Sequence, residues 1–306
     1  MISVVIPVRN ARQFTVNCLH SLLYTFRQLS SPSDVEYILI DDNSDPEQGI
    51  CDLFQEFRRQ TPSPVKIVRF KQRRWYAWGC AYGFASAKGS LVLFLSHDVV
   101  LTPDYVRTVT QVAGLDDTFG IIRGTAQYVD CFPQYQVPPP LPTRDIEDLT
   151  NFAAYVARYH GLAHAEDPLL TGDAMLIKRS VFQKIGSFDT RFPYGYFADI
   201  DFGLRTLRAG FKMVCAKGAW LHHEGAGAYK DESATKKIDY ALVHAERMKN
   251  VQACYETFRQ KWDPSMPPTY TNVYELPLVS LRCAPSVGFD EFQPFVPLED
   301  PLVELL

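Results

Sequence analysis

Four short stretches of the chain gather side chains able to bind ions or move protons. Phe94-Leu95-Ser96-His97-Asp98 ends an apolar run in a carboxylate, and Ile40-Asp41-Asp42-Asn43-Ser44 ends another in two. Ala198-Asp199-Ile200-Asp201 opens a helical pattern, and Leu221 leads into His222-His223-Glu224. Carboxylates are hard oxygen ligands for divalent cations and serve as general bases, while imidazole adds nitrogen ligation. Asp98 is the first candidate. Its plain alternative is a turn before the next helix, because Thr102-Pro103-Asp104 already reads as a helix cap with proline at the first helical position.

These groups need elements that bring them to one place. Leu91 to Leu95 is continuously apolar, so it cannot alternate between core and water and reads as a strand buried on both faces of a parallel sheet. Such a strand delivers its last residues to the carboxyl edge, where open sheets bind ligands. Ser3–Val8, Val35–Ile40 and Val65–Phe70 predict three earlier strands. Helical patterns follow each: Cys18, Leu19, Leu22 and Phe26, then Ile50, Leu53, Phe54 and Phe57, then the small-residue stretch Ala77–Lys88. This alternation implies an α/β fold with right-handed crossovers and a mostly parallel sheet flanked by helices. Pro7, Arg9, Asp41, Asp42 and Asp98 then share one sheet edge, and Arg73 and Arg74 reach it from the loop after the third strand. Charges of both signs along one cleft suit a nucleotide diphosphate. Neither GxGxxG after the first strand nor GxxxxGK[ST] anywhere is present, which disfavours a dehydrogenase and a P-loop NTPase.

The second half reads as a helix over 102–113, short strands at Ile121–Gly124 and Gln127–Val129, and a proline-rich loop from Cys131 to Thr143. A helix over 145–159 follows, then Thr171-Gly172-Asp173 before a strand at Ala174–Ile177 and a helix at Ser180–Ile185. Asp199 falls at the amino end of a helix that stops at Gly210, where a carboxylate is ordinarily just a cap. Strands at Phe211–Cys215 and Ala219–Leu221 then deliver the histidines.

Composition narrows the partners. A net charge of −4 gives no general attraction to nucleic acid or an anionic membrane. The basic and aromatic stretch Lys71–Trp78 is poor evidence for nucleic acid on an acidic chain. No segment approaches the roughly 20 apolar residues that span a bilayer, and Met1–Pro7 has no basic leader, so the expectation is a cytoplasmic protein without a membrane span. The seven cysteines are scattered without CxxC or CxxH spacing, so neither a disulfide framework nor a zinc site is expected.

Taken together, these segments resemble the family 2 glycosyltransferases, inverting enzymes of the Rossmann-like GT-A fold. Val4–Asn10 looks like the family's opening strand, Ile40–Ser44 like its nucleotide-binding segment, and Phe94–Asp98 stands where it carries a DxD metal motif. Gly172–Arg179, Gly186–Asp189 and Asp199–Arg205 with Arg208-Ala209-Gly210 resemble its acceptor block, and Leu221–His223 its closing histidine strand. Three positions depart from the pattern: Ser96 for the first acid of DxD, Ala198 for the Glu of the acidic pair, and Ala81 for a frequent asparagine.

The resemblance implies a catalytic domain over residues 1–230, with a donor half to about 115 and an acceptor half beyond it. It implies transfer of a sugar from a nucleotide-diphosphate sugar to a hydroxyl of a glycan or glycoconjugate, as in polysaccharide biosynthesis. Asp199 would be the general base. Pro7, Arg9, Asp41, Asp42, Arg73, Arg74 and His97 would bind the nucleotide; Asp98 with His222, and His223 behind it, would hold Mn²⁺ or Mg²⁺; Gly172, Asp173 and Asp201 would meet the acceptor. The competing expectation, raised by Ser96 and Ala198, is a catalytically inactive nucleotide-sugar- or glycan-binding subunit with the same fold. Residues 231–306 lie outside the resemblance. They read as one long helix over 234–262 and a proline-rich extension that packs on the domain, joins copies into a homo-oligomer, or links to a fused module.

Overall fold

The computed structural model describes residues 1–29, 34–129, 133–140, 145–169, 172–283 and 291–306. The first hundred residues alternate strand and helix: β1 (Ile2–Val8), α1 (Arg12–Gln28), β2 (Val35–Asp41), α2 (Ile50–Gln60), β3 (Val65–Phe70), α3 (Trp75–Ser86) and β4 (Leu91–Leu95). A two-residue β5 (Val99–Val100) and α4 (Pro103–Ala113) follow, the helix capped by the Thr102 hydroxyl accepting from the Tyr105 amide. Strand order β3-β2-β1-β4 is parallel throughout, which brings the ends of β1, β2 and β4 to one edge.

Beyond β4 the sheet becomes mixed. β8 (Ala174–Lys178) runs antiparallel to β4, β6 (Phe119–Ala126) antiparallel to β8, and β9 (Lys212–His223) parallel to β6. β7 (His164–Glu166) pairs the outer edge of β9. The two short strands expected at 211–221 are the single β9, whose register with β6 jumps between Arg123 and Thr125 at a bulge. Residues 127–129 form no strand. The expectations that fall on residues 30–33, 130–132, 141–144, 170–171 and 284–290 lie outside the described residues.

Alternation along the central strands sends Val4, Ile6 and Leu39 to one face with α1, α2 and α4, and Val5, Ile38 and Ile40 to the other. On that second face pack α3, α6 (Arg179–Ile185), α7 (Ala198–Arg208) and the carboxyl-terminal α9 (Tyr240–Trp262). Phe84, Phe94, Phe182, Phe188 and Phe202 form one contiguous ring cluster between them. α5 (Ile146–His160) covers Trp220 on β9.

The one long helix expected over 234–262 is two. α8 (Gly227–Lys236) ends at Lys237 in the left-handed region, and Asp239 caps α9 by accepting from the Ala241 amide. The boundary expected at residue 230 therefore falls within α8, and α9 shares a core with the central sheet. After α10 (Leu278–Cys283), residues 291–306 run back across the domain. β10 (Val303–Leu305) adds antiparallel to the β3 edge.

Candidate active site

The ends of β1, β2 and β4 open into a cavity of about 640 Å³ that continues under α7 and α9. On the β1–β2 side, the Arg9 guanidinium donates to the carbonyls of Asp42 (3.0 Å) and Asn43 and reaches Asp45 at 3.4 Å. Asp42 lines the cavity, and its carboxylate accepts from the backbone amides of Arg74 (2.5 Å) and Trp75 (2.8 Å). Burial pushes its carboxyl up to about 6, with those two amides pulling the other way. Trp75 sits at φ +67 and carries the Arg73 guanidinium 3.2 Å above its ring centre. Left-handed backbone at a tryptophan costs free energy and persists only where surrounding contacts fix it.

Asp98 occupies the centre. Its Oδ1 accepts from the Ser96 hydroxyl at 2.5 Å and lies 3.6 Å from His223 Nε2, while Oδ2 accepts from the Gly227 amide at 2.9 Å. Burial alone would raise the carboxyl, but the hydrogen bond and charge of His223, then His97 and Ser96, hold it well below the usual carboxylate range. Gly227 is required by close approach: a Cβ there would meet the Asp98 Cβ at 2.7 Å. The Tyr128 carbonyl sits 3.1 Å from His223 Nδ1 and can only accept, so that nitrogen carries a proton. Neutral His223 then turns the lone pair of Nε2 towards a carboxylate. Two acceptors facing each other call for a cation between them, either a proton on His223 or a metal ion.

Asp199 lies in the first turn of α7 and lines the same cavity. It does not act as the helix cap: Phe197 holds that position at φ +65, and the Asp199 carboxylate accepts from the amide of Ile200 at 3.0 Å. A Cβ on Gly172 would lie 2.2 Å from the Tyr76 hydroxyl and 3.3 Å from Asp199 Oδ2, so both side chains converge over this glycine. Asp173 is buried beside it, with Oδ2 accepting from Arg123 at 3.0 Å and Oδ1 buried without a partner.

Ten of the expected site residues line this cavity: Pro7, Arg9, Asp42, Arg73, His97, Asp98, Gly172, Asp173, Asp199 and His223. Four do not, each for a geometric reason. Asp41 points to the other side of its strand end, where it pairs with Arg69 at 2.7 Å and accepts from the Ser44 amide. Arg74 turns outward into a bidentate pair with Asp300 at 2.7 and 3.1 Å and rests on Trp78. Asp201, two residues along the helix from Asp199, faces the core, where it meets Arg205 (2.9 Å), Lys261 (2.6 Å) and Trp262 (3.0 Å). His222 alternates away from the cavity face and lies 3.5 Å from Glu224, so the preference for His222 over His223 is reversed. Sequence reasoning missed Gly227, Tyr194–Phe197, Arg247 and Tyr270–Tyr274, all of which line the cavity. Only Gly225-Ala226-Gly227, glycines directly after a strand end, gave a signal that such a scan detects.

No group of three His, Cys, Asp or Glu side chains able to hold a metal occurs among the described residues. Asp98 and His223 thus offer a two-residue donor set, and Oδ2 keeps a lone-pair direction beyond its bond to Gly227. That set fits an octahedral cation whose other ligands come from a phosphate substrate and water.

The family model described as Glycosyl transferase family 2 matches residues 3–186. The chain belongs to this family. An uncharacterized glycosyltransferase of Nostoc sp. is 26% identical over 122 residues, 40% of this chain and 35% of its own length. The first curated relatives are matched over 40% or less of their length. Among solved structures, the mannosyltransferase PcManGT of Pyrobaculum calidifontis, in complex with GDP-Man and Mn²⁺, is similar at a TM-score of 0.52 and 15% identity. That alignment covers 92% of this chain and 78% of the other. S. aureus TarS 1–349 in complex with UDP is similar at a TM-score of 0.52 and 12% identity, over 85% of this chain and 72% of that one. These likenesses show the GT-A fold. No helix among the described residues is long and apolar enough to cross a membrane.

Proposed function

We propose that this family 2 glycosyltransferase moves a sugar from a nucleotide diphosphate to an acceptor hydroxyl with inversion at the anomeric carbon, in a catalytic domain that continues past the expected limit of residue 230 through α9, which lines the same cavity. One observation carries the reading: Arg9, Arg73 and Asp98 share a single cavity with Asp199 and Asp173. Phosphate-binding charge and a candidate base thus stand within one substrate's reach, in a volume typical of ligand pockets. The GDP-Man and UDP complexes of the similar structures support a nucleotide-sugar donor.

In this reading Arg9 and Arg73 meet the donor phosphates, and Asp42 holds the Arg73–Trp75 loop against the nucleotide. Asp98 and His223 would hold a divalent cation, which when bound stabilises the negative charge of the departing diphosphate. Asp173, fixed by Arg123, orients the acceptor sugar. Asp199 accepts the proton of the attacking hydroxyl, and Gly172, having no Cβ, lets the Tyr76 ring pack close beside Asp199. Attack from the face opposite the leaving group sets the inverted product.

Thermal shift with uridine, guanosine and deoxythymidine diphosphate sugars, with and without Mn²⁺, tests the reading. One donor is expected to raise Tm in a metal-dependent way. Donor hydrolysis that disappears in Asp199→Asn, with binding retained, supports turnover. Tight donor binding with no release for any donor or acceptor assigns a binding subunit instead.

A further inference from the structure

The half of the cavity beyond Asp199 is built from residues outside the stretch that matches the family. His244, Arg247, Met248 and Val251 form one helical stripe of α9 along its wall, and Tyr270–Tyr274 closes the far end. Opposite them stand Tyr194 and Tyr196, with Tyr194 packed edge-on to Trp75 at 4.8 Å between ring centres. Tyr274 is 59% exposed and Met248 is 38% exposed, unusual for large apolar side chains that line one concave surface. The Arg247 guanidinium lies 5.1 Å from the ring centre of Tyr229 and 5.9 Å from that of Tyr196, and the hydroxyls of those two tyrosines contact each other.

We propose that this half-cavity is the acceptor subsite and that it takes a sugar bearing an anionic group, a phosphate or a carboxylate, gripped by Arg247. The inference rests on the glycosyltransferase reading and names the substrate class of the same site. Aromatic side chains present flat apolar area at low entropy cost, which suits the faces of a pyranose ring. A guanidinium held against two rings, with the Tyr196 hydroxyl accepting from it, is oriented before the ligand arrives, and guanidinium N–H donors lie in one plane. That fork matches the paired oxygens of a carboxylate or phosphate. The acceptor hydroxyl then points from this wall towards Asp199, while its anionic substituent stays on α9. Arg9 and Arg73, which line the same cavity, serve the donor diphosphate.

The test measures sugar binding by calorimetry to the full chain saturated with its nucleoside diphosphate. Methyl glucoside, glucuronate and glucose 1-phosphate serve as neutral, carboxylate and phosphate probes. At least one anionic sugar is expected to bind about tenfold or more tightly than the neutral one, as charged hydrogen bonds require. Arg247→Gln removes that preference while nucleoside diphosphate affinity is unchanged, and Arg247→Lys restores only part of it. Glucuronate ahead of the phosphate assigns a carboxylate acceptor, and the reverse order assigns a phosphate. Tyr274→Ala, which removes a 59% exposed ring from the cavity wall, weakens neutral and anionic sugars alike. Equal binding of neutral and anionic sugars, or an Arg247→Gln preference identical to wild type, overturns the proposal while nucleotide binding keeps the transferase reading intact. Loss of nucleotide binding in the wild-type chain overturns both.

Discussion

The two ends of the cavity are built by different means. At the donor end, side chains are fixed by backbone: Asp42 by two amides, Asp98 by the Gly227 amide, Arg9 by two carbonyls. At the far end, α9 and the 270–274 turn offer rings and a guanidinium fixed mainly by other side chains. The first arrangement holds charge where the proposed donor diphosphate would sit. The second can be altered residue by residue without disturbing the sheet, so a common donor chemistry can serve different acceptors.

Asp199 stands where the two ends meet, and its removal gives the largest expected effect. Asp199→Asn should lower kcat by about 10²- to 10⁴-fold, the usual contribution of a general base. Donor affinity, measured by thermal shift, should stay unchanged. A parallel loss of donor binding would place Asp199 with the donor end and undo the division. Next comes Asp98→Asn, which weakens the ligand set for a divalent cation and leaves His223 facing a neutral amide. Metal-dependent stabilisation by the nucleotide should fall about tenfold to a hundredfold in apparent affinity. Sugar binding at the far end should be unaffected.

The same division governs what the sequence reveals. Strands β1 to β4 and the position of Asp98 follow from apolar runs that end in polar residues, because burial acts over a few neighbouring residues, whereas Asp173 before β8 and Asp199 at the start of α7 are singled out only by the family resemblance. Which member of each adjacent pair faces the cavity does not follow. Asp41 against Asp42 and His222 against His223 depend on which side of the pleat meets solvent, and a shift of one residue exchanges them. Asp201 resembled a site acid until its partners Lys261 and Trp262 arrived from sixty residues away. The far wall was invisible for the same reason. Tyr196, Tyr229, Arg247 and Tyr274 carry no local pattern, and only the packing of α8 and α9 on α7 brings them together.

A smaller effect probes how the carboxyl-terminal run supports the donor end. Asp300 holds the Arg74 side chain, whose own amide holds Asp42. Asp300→Ala should release this tether, lower Tm by about 2 °C for an ion pair near 1 kcal/mol, and raise the donor KM severalfold with kcat preserved. An unchanged KM would show that Asp42 alone orders the loop.

The smallest effect is a pH dependence that separates Asp42 from Asp98, two acids of the same end with opposite signs. Asp98 is depressed, so the native state binds fewer protons than the unfolded chain; its contribution is present above the ordinary value of 3.8 and is lost as pH falls below it. Asp42 is raised from 3.8 to about 6, so the native state keeps a proton that the unfolded chain has released. Its contribution is present at low pH and is lost as pH rises through that window. Asp167, also raised to about 6 by burial, slopes the same way, so wild-type stability alone cannot isolate Asp42. The difference between wild type and Asp42→Asn can, because Asp167 and Asp98 are common to both chains and cancel. That difference in denaturant-derived stability should shrink as pH rises from 4 to 6 and become flat above it. A difference that grows with pH would mean that the amides of Arg74 and Trp75, with Arg73 and Arg9 nearby, outweigh burial and keep Asp42 ionised throughout.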